Sequence, residues 1–110
     1  MDKLLMVMTT FPDVATAQAA AEGIIEQRLG ACVKQLAPCT STYRWQSSIE
    51  SEQEVPLLIA TCALRYPALE QYIQTRHPYQ VPEIVAWPLE QALPAYADWV
   101  AQETGETPNV

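Results

Sequence analysis

Nine residues concentrate the chemistry of this 110-residue chain: Arg76-His77-Pro78-Tyr79-Gln80-Val81-Pro82-Glu83-Ile84. They hold its only histidine, a tyrosine, a carboxylate and two prolines four positions apart. Proline drives the residue before it out of the helical region, so His77 and Val81 are both held extended. The segment reads as a stiff corner with an imidazole at its entrance and a carboxylate at its exit. A neutral imidazole at His77 can ligate a metal, with protons competing for it in mild acid, and Glu83 can join it. The same corner can equally be a structural elbow between a helix and a strand. One imidazole and one carboxylate make a weak site, because tight metal binding takes about three or four ligands.

Other donor groups are scattered. Cys32, Cys39 and Cys62 form no Cys-x-x-Cys pair and fit neither a zinc site nor a disulfide framework. Three free thiols suit a reducing compartment. Cys32 and Cys39 are separated by an odd number of positions, so in one strand they fall on opposite faces unless Pro38 makes a bulge. Small buried hydrophobes are the simpler role for them. Met6 and Met8 share a face and read as core. Glu50, Glu52 and Glu54 also share a face, read as solvated and balanced in part by Arg44 and Lys34. No Ser-His-Asp set, phosphate loop or two-carboxylate cleft can be assembled from the chain, so no catalytic activity and no required cofactor are expected.

Charge narrows the partners. Six basic and thirteen acidic residues give a formal net charge of -7, with no Lys/Arg cluster. Such a surface repels phosphate backbones, which argues against nucleic acid. The opening apolar run Leu4–Met8 is too short to span a bilayer and lacks a small-residue cleavage site after it, so a membrane or secreted setting is not expected. The expectation is a cytoplasmic protein forming one domain over residues 1–110, with 104–110 as a frayed tail.

The elements that must position the corner can be read in order. Leu4–Met8 is continuously apolar, as a strand covered on both faces would be. Asp13 suits a helix N-cap, and Val14, Ala17, Ala21, Ile24 and Ile25 mark the buried face of the helix that Gly30 closes. Ala31–Trp45 and Ile49–Cys62 read as two extended runs joined by Gln46-Ser47-Ser48. A three-residue loop sets Trp45 opposite Ile49, Arg44 opposite Glu50 and Thr42 opposite Glu52. Pro38 and Pro56 each mark a bulge, an edge or a break in pairing. About fifteen residues per strand span roughly 50 Å, more than the ~35 Å width of a domain this size. The hairpin must therefore bend or project. A projecting arm bearing Tyr43, Trp45 and Ile49 is expected to be covered by another subunit. Pro67 opens a second helix with Leu69, Tyr72 and Ile73 inside, Ile84–Trp87 forms a last strand, and Pro94 opens a short helix with Tyr96, Trp99 and Val100. That order is α+β, the split β-α-β arrangement of a ferredoxin-like sandwich with a long β-hairpin arm and a short C-terminal helix.

Several stretches resemble the CutA divalent-cation tolerance family. They are Pro12-Asp13 with Ala15-Thr16-Ala17, Ala31-Cys32-Val33, Tyr43-Arg44-Trp45 with Ile49-Glu50 and Glu54, and above all His77-Pro78-Tyr79 with Pro82-Glu83-Ile84. The resemblance covers almost the whole chain. It implies a homotrimer whose long hairpins pair between subunits, a response to copper or other divalent cations, and no firmly attached catalytic activity. A metal ion or small ligand at a subunit boundary follows as the expected partner. The alternative is a trimeric small-ligand sensor or interaction scaffold, similar to the signalling PII proteins. This chain carries Thr9 where some relatives have a first-strand cysteine proposed as a copper ligand. It also has Ser47-Ser48 where Gly-Lys is usual, Ala60 where a lysine is common, and Arg76 as the neighbour of its one histidine.

Overall fold

Strand β1, Leu4–Phe11, is the axis of the molecule. In this computed structural model, which describes residues 2–105, β1 has a strand on each side. Strand β4 (Ser48–Cys62) pairs antiparallel from Leu4↔Cys62 to Phe11↔Val55, and β5 (Ile84–Pro88) from Leu5↔Pro88 to Thr9↔Ile84. Strand β2 (Cys32–Gln35) adds to the far side of β4, giving the sheet order β2-β4-β1-β5. Strand β3 (Cys39–Trp45) pairs with the distal half of β4 as the hairpin arm. Helices α1 (Val14–Glu26) and α2 (Tyr66–Arg76) supply the crossovers, and α3 (Pro94–Thr104) ends the described chain. This is the α+β sandwich expected, with an antiparallel sheet. The arm stretches the principal dimensions to 50 × 28 × 23 Å.

Local chemistry sets the helix ends. The Asp13 carboxylate accepts from the Thr16 amide at 2.8 Å. That bond holds the carboxyl below the ordinary aspartate range. At the other end, Arg28 rather than Gly30 takes the left-handed position, with φ 59°. The Leu29 amide bonds the Ile24 carbonyl and the Arg28 amide bonds that of Ile25, a Schellman closure. Gly30 is required for a different reason: a Cβ there would lie 2.6 Å from the Ile59 side chain. The Arg28 guanidinium reaches away to the carbonyls of Gln102 and Glu103 and serves the C-terminus of α3. Thr104 is buried within that last turn, so the expected fraying does not begin there, and 106–110 lie outside the described residues.

The main core lies between the sheet and the first two helices. Val7, Phe11, Leu57 and Ile59 meet Ala17, Ala20, Ile24, Leu69, Tyr72 and Ile73. The α2 face is the one the spacing predicts. On α1 the buried stripe is narrower, for Val14 and Ile25 stand more than two-fifths exposed. A smaller core on the opposite face packs Leu4, Ala31 and Ala60 against Val100 of α3.

Two features of the arm differ from the expected pairing. Gln46 and Ser47 both have positive φ, 49° and 72°, so the loop has two residues, and Trp45 faces Ser48. Such left-handed two-residue turns match the right-handed strand twist, whereas a three-residue loop needs a bulge. The register therefore shifts by one: Arg44 faces Ile49, Tyr43 faces Glu50 and Thr42 faces Ser51. The single run expected over 31–45 is also two strands, broken at residues 36–38 beside Pro38. Across this break the register against β4 advances by one. Cys32 opposite Ala60 and Cys39 opposite Glu54 consequently share a face, not opposite ones. Six residues of β4 separate them, roughly 20 Å, so they cannot chelate one ion. Pro56 stays inside β4 with its carbonyl accepting from the Leu36 amide.

Candidate functional site

His77 ends α2 in extended conformation, ψ 137°, as its proline neighbour dictates. Its ring is buried and stacks on Phe11, centroids 4.7 Å apart. Nδ1 accepts from the Tyr79 amide at 3.1 Å. Nε2 therefore carries the proton and donates to the Thr10 carbonyl at 2.6 Å. Both ring nitrogens are engaged, and ligating a metal would require one of these bonds to open. The imidazole ties the Tyr79–Glu83 loop to the end of β1.

That loop forms one wall of a cleft of about 550 Å³ whose other wall is the arm. Glu83 lines it along with Thr10, Tyr43, Trp45, Glu54 and Tyr79, while His77 sits behind the wall and does not line it. The two expected metal donors thus lie on either side of one loop. Glu50, Glu52 and Glu54 alternate on one side of β4, facing Tyr43, Ser41 and Cys39 on β3. The solvated reading fails for Glu54, which is only 6% exposed. Nor do Arg44 or Lys34 balance these acids. Among the described residues the ion pair present is Arg28–Glu103. Burial, then the charges of Glu52, Glu50 and Glu54, push the Tyr43 phenol pKa up. Burial and then Glu54 do the same to Tyr79. Among the described residues no lysine, arginine or histidine lines the cleft.

Among the described residues no three His, Cys, Asp or Glu side chains are grouped to hold one metal ion. Thr9 faces the core fully buried, and among the described residues its hydroxyl has no partner. Replacing that hydroxyl by a methyl removes an unpaired polar group, so Thr9→Val should raise stability by about 1 kcal/mol. A urea midpoint that falls instead would show that the hydroxyl has a partner. Cys32 is half-buried, Cys39 exposed and Cys62 buried, all free.

The family model for the CutA1 divalent ion tolerance protein matches residues 5–103. The chain belongs to this family. A divalent-cation tolerance protein CutA of Thermus thermophilus is 39% identical over 100 residues, 91% of this chain and 97% of that one. The CutA protein of mouse is 39% identical over the same length, and there the chain spans 56% of a longer protein. The crystal structure of CutA from Xylella fastidiosa superposes with a TM-score of 0.91 at 37% identity, covering 94% of this chain and 99% of that one. Within the CutA1 family frame, Glu54 is the residue whose role sequence reasoning misread. It faces Cys39 across the arm and lines the cleft with the Tyr79–Glu83 loop, a neighbour that no local pattern announces.

Proposed function

We propose that this CutA1-family chain works as a cytoplasmic homotrimer that responds to divalent cations, copper among them, by binding them weakly. One observation carries the assembly: the sheet is apolar on both faces, yet its second face is covered only in part. Helix α3 covers the Leu4 and Ala60 end. Beyond it runs a row in register, Leu58–Met8–Val85, with Trp87 beside it. Met8 and Leu58 are half-buried, and Val85 and Trp87 are 43% and 42% exposed. Such a patch on a sheet face is normally closed by another subunit. Tyr43 and Trp45 extend this contact along the arm, and Ile49, on the arm's other side, offers a second apolar contact at 71% exposure. Three free thiols support a reducing setting, and no helix of the described residues is long and apolar enough to cross a membrane.

For the cation, Glu83 is the donor facing the cleft. His77 joins it only by giving up a ring-nitrogen bond, to the Tyr79 amide or to the Thr10 carbonyl. With so few ligands per subunit, binding is weak unless symmetry copies complete the site. Isothermal titration of copper and zinc into the parent and Glu83→Gln tests this. Micromolar or weaker binding is expected, falling about tenfold, or 1.4 kcal/mol, in the variant. Nanomolar binding, or equal binding by both proteins, would sink it.

A further inference from the structure

Helix α3 has little of its own to hold it. At 11 residues it is shorter than an isolated helix needs to be to persist in water. Leu93 gives it no side-chain N-cap, its first turn carries no acid and its last turn no base. Glu103 stands instead in that last turn, where the helix dipole disfavours an anion. Val100 and Thr104 are its buried residues. The C-terminus is held from outside. Arg28, just past the end of α1, donates to the carbonyls of Gln102 and Glu103 at 3.5 and 3.1 Å. Arg65, at the start of α2, donates through Nε to the next carbonyl, that of Thr104. Three successive carbonyls that the helix leaves open thus meet two guanidiniums from distant segments. Arg28 does this from φ 59°, a left-handed position that glycine fills without strain.

We infer that α3 is a strap that opens and closes as a unit on the second sheet face, latched by Arg28 and Arg65. Hydrogen bonds from a charged donor are stronger than neutral ones, and a helix without caps of its own comes away whole once they part. Opening uncovers Leu4, Ala31 and Ala60, which pack against Val100 in the closed state. It also frees the Cys62 thiol, 7% exposed and 3.4 Å from the Thr104 hydroxyl. The latch therefore sets how much apolar face a subunit presents and when Cys62 meets solvent. The inference rests neither on metal binding nor on the trimer.

The test is amide hydrogen exchange on the full chain. The amides of residues 97–104 should exchange as one group, ahead of those of β1. Arg28→Gly is the telling variant. At an ordinary helix end it would relax the backbone and leave exchange unchanged or slower. Here it should speed exchange across α3 about tenfold and leave β1 and β4 as they were. Arg65→Gln should act in the same direction, and it carries the test if Arg28→Gly fails to fold. Maleimide labelling located by mass spectrometry gives a second reading. Cys62 should label about tenfold faster in both variants, with the exposed Cys39 as an unchanged internal reference. Exchange of α3 no sooner than β1, or α3 exchange and Cys62 labelling at the parental rate in the variants, would overturn the inference. Faster exchange throughout the subunit would overturn it too, since the arginines would then support the whole fold and not a strap.

Discussion

Met8→Asp should convert the proposed trimer into a 12.3 kDa monomer. Met8 is the centre of the uncovered row on the second sheet face, paired with Leu58 on one side and Val85 on the other. In one isolated subunit it is half-buried, and an aspartate there can still turn toward water. In the proposed trimer three such carboxylates would be closed into apolar contacts without a cation. Each uncompensated buried charge costs several kcal/mol, on the order of the whole contact. Light scattering at micromolar concentration reads the mass directly, and circular dichroism checks that the subunit stays folded. A variant that remains a trimer would show that this face is not the contact.

His77→Ala should be the most damaging single change to the subunit itself, about 3 kcal/mol. Truncation removes a buried ring stacked on Phe11, leaves a cavity, and strands the Thr10 carbonyl and the Tyr79 amide. His77→Gln should cost less, because an amide can still donate to Thr10 although it cannot stack. Urea unfolding midpoints compared at one protein concentration read both values, since assembly adds its own concentration-dependent stability. If His77→Ala unfolds at the parent midpoint, the ring is not the latch described. Loosening that latch also frees the loop that carries Glu83, so cleft binding should fall with stability. Weaker metal binding in a His77 variant would therefore not by itself prove ligation.

The sequence by itself determined which segments become strands and helices. Periodicity, proline positions and the Asp13 cap are local, and local signals survive without knowledge of the partners. Leu69, Tyr72 and Ile73 are buried where their spacing puts them, β1 and α3 begin where expected, and α2 begins one residue before Pro67. The continuously apolar β1 also announced two covered faces, and the structure shows which of them still wants a cover. Tertiary structure decided everything that depends on register. Whether Gln46 and Ser47 turn in two residues or three is a matter of one pair of φ angles, yet it changes every cross-strand partner of the arm. The break near Pro38 likewise moves Cys39 to the face of Cys32. Glu54 depends instead on a distant segment. Its alternation with Glu50 and Glu52 spelled a solvated face, but burial comes from the Tyr79–Glu83 loop folding over from twenty-five or more residues away in sequence. His77 read as ligand or elbow, and only the Tyr79 amide on Nδ1 and the Thr10 carbonyl 2.6 Å from Nε2 show where its proton goes.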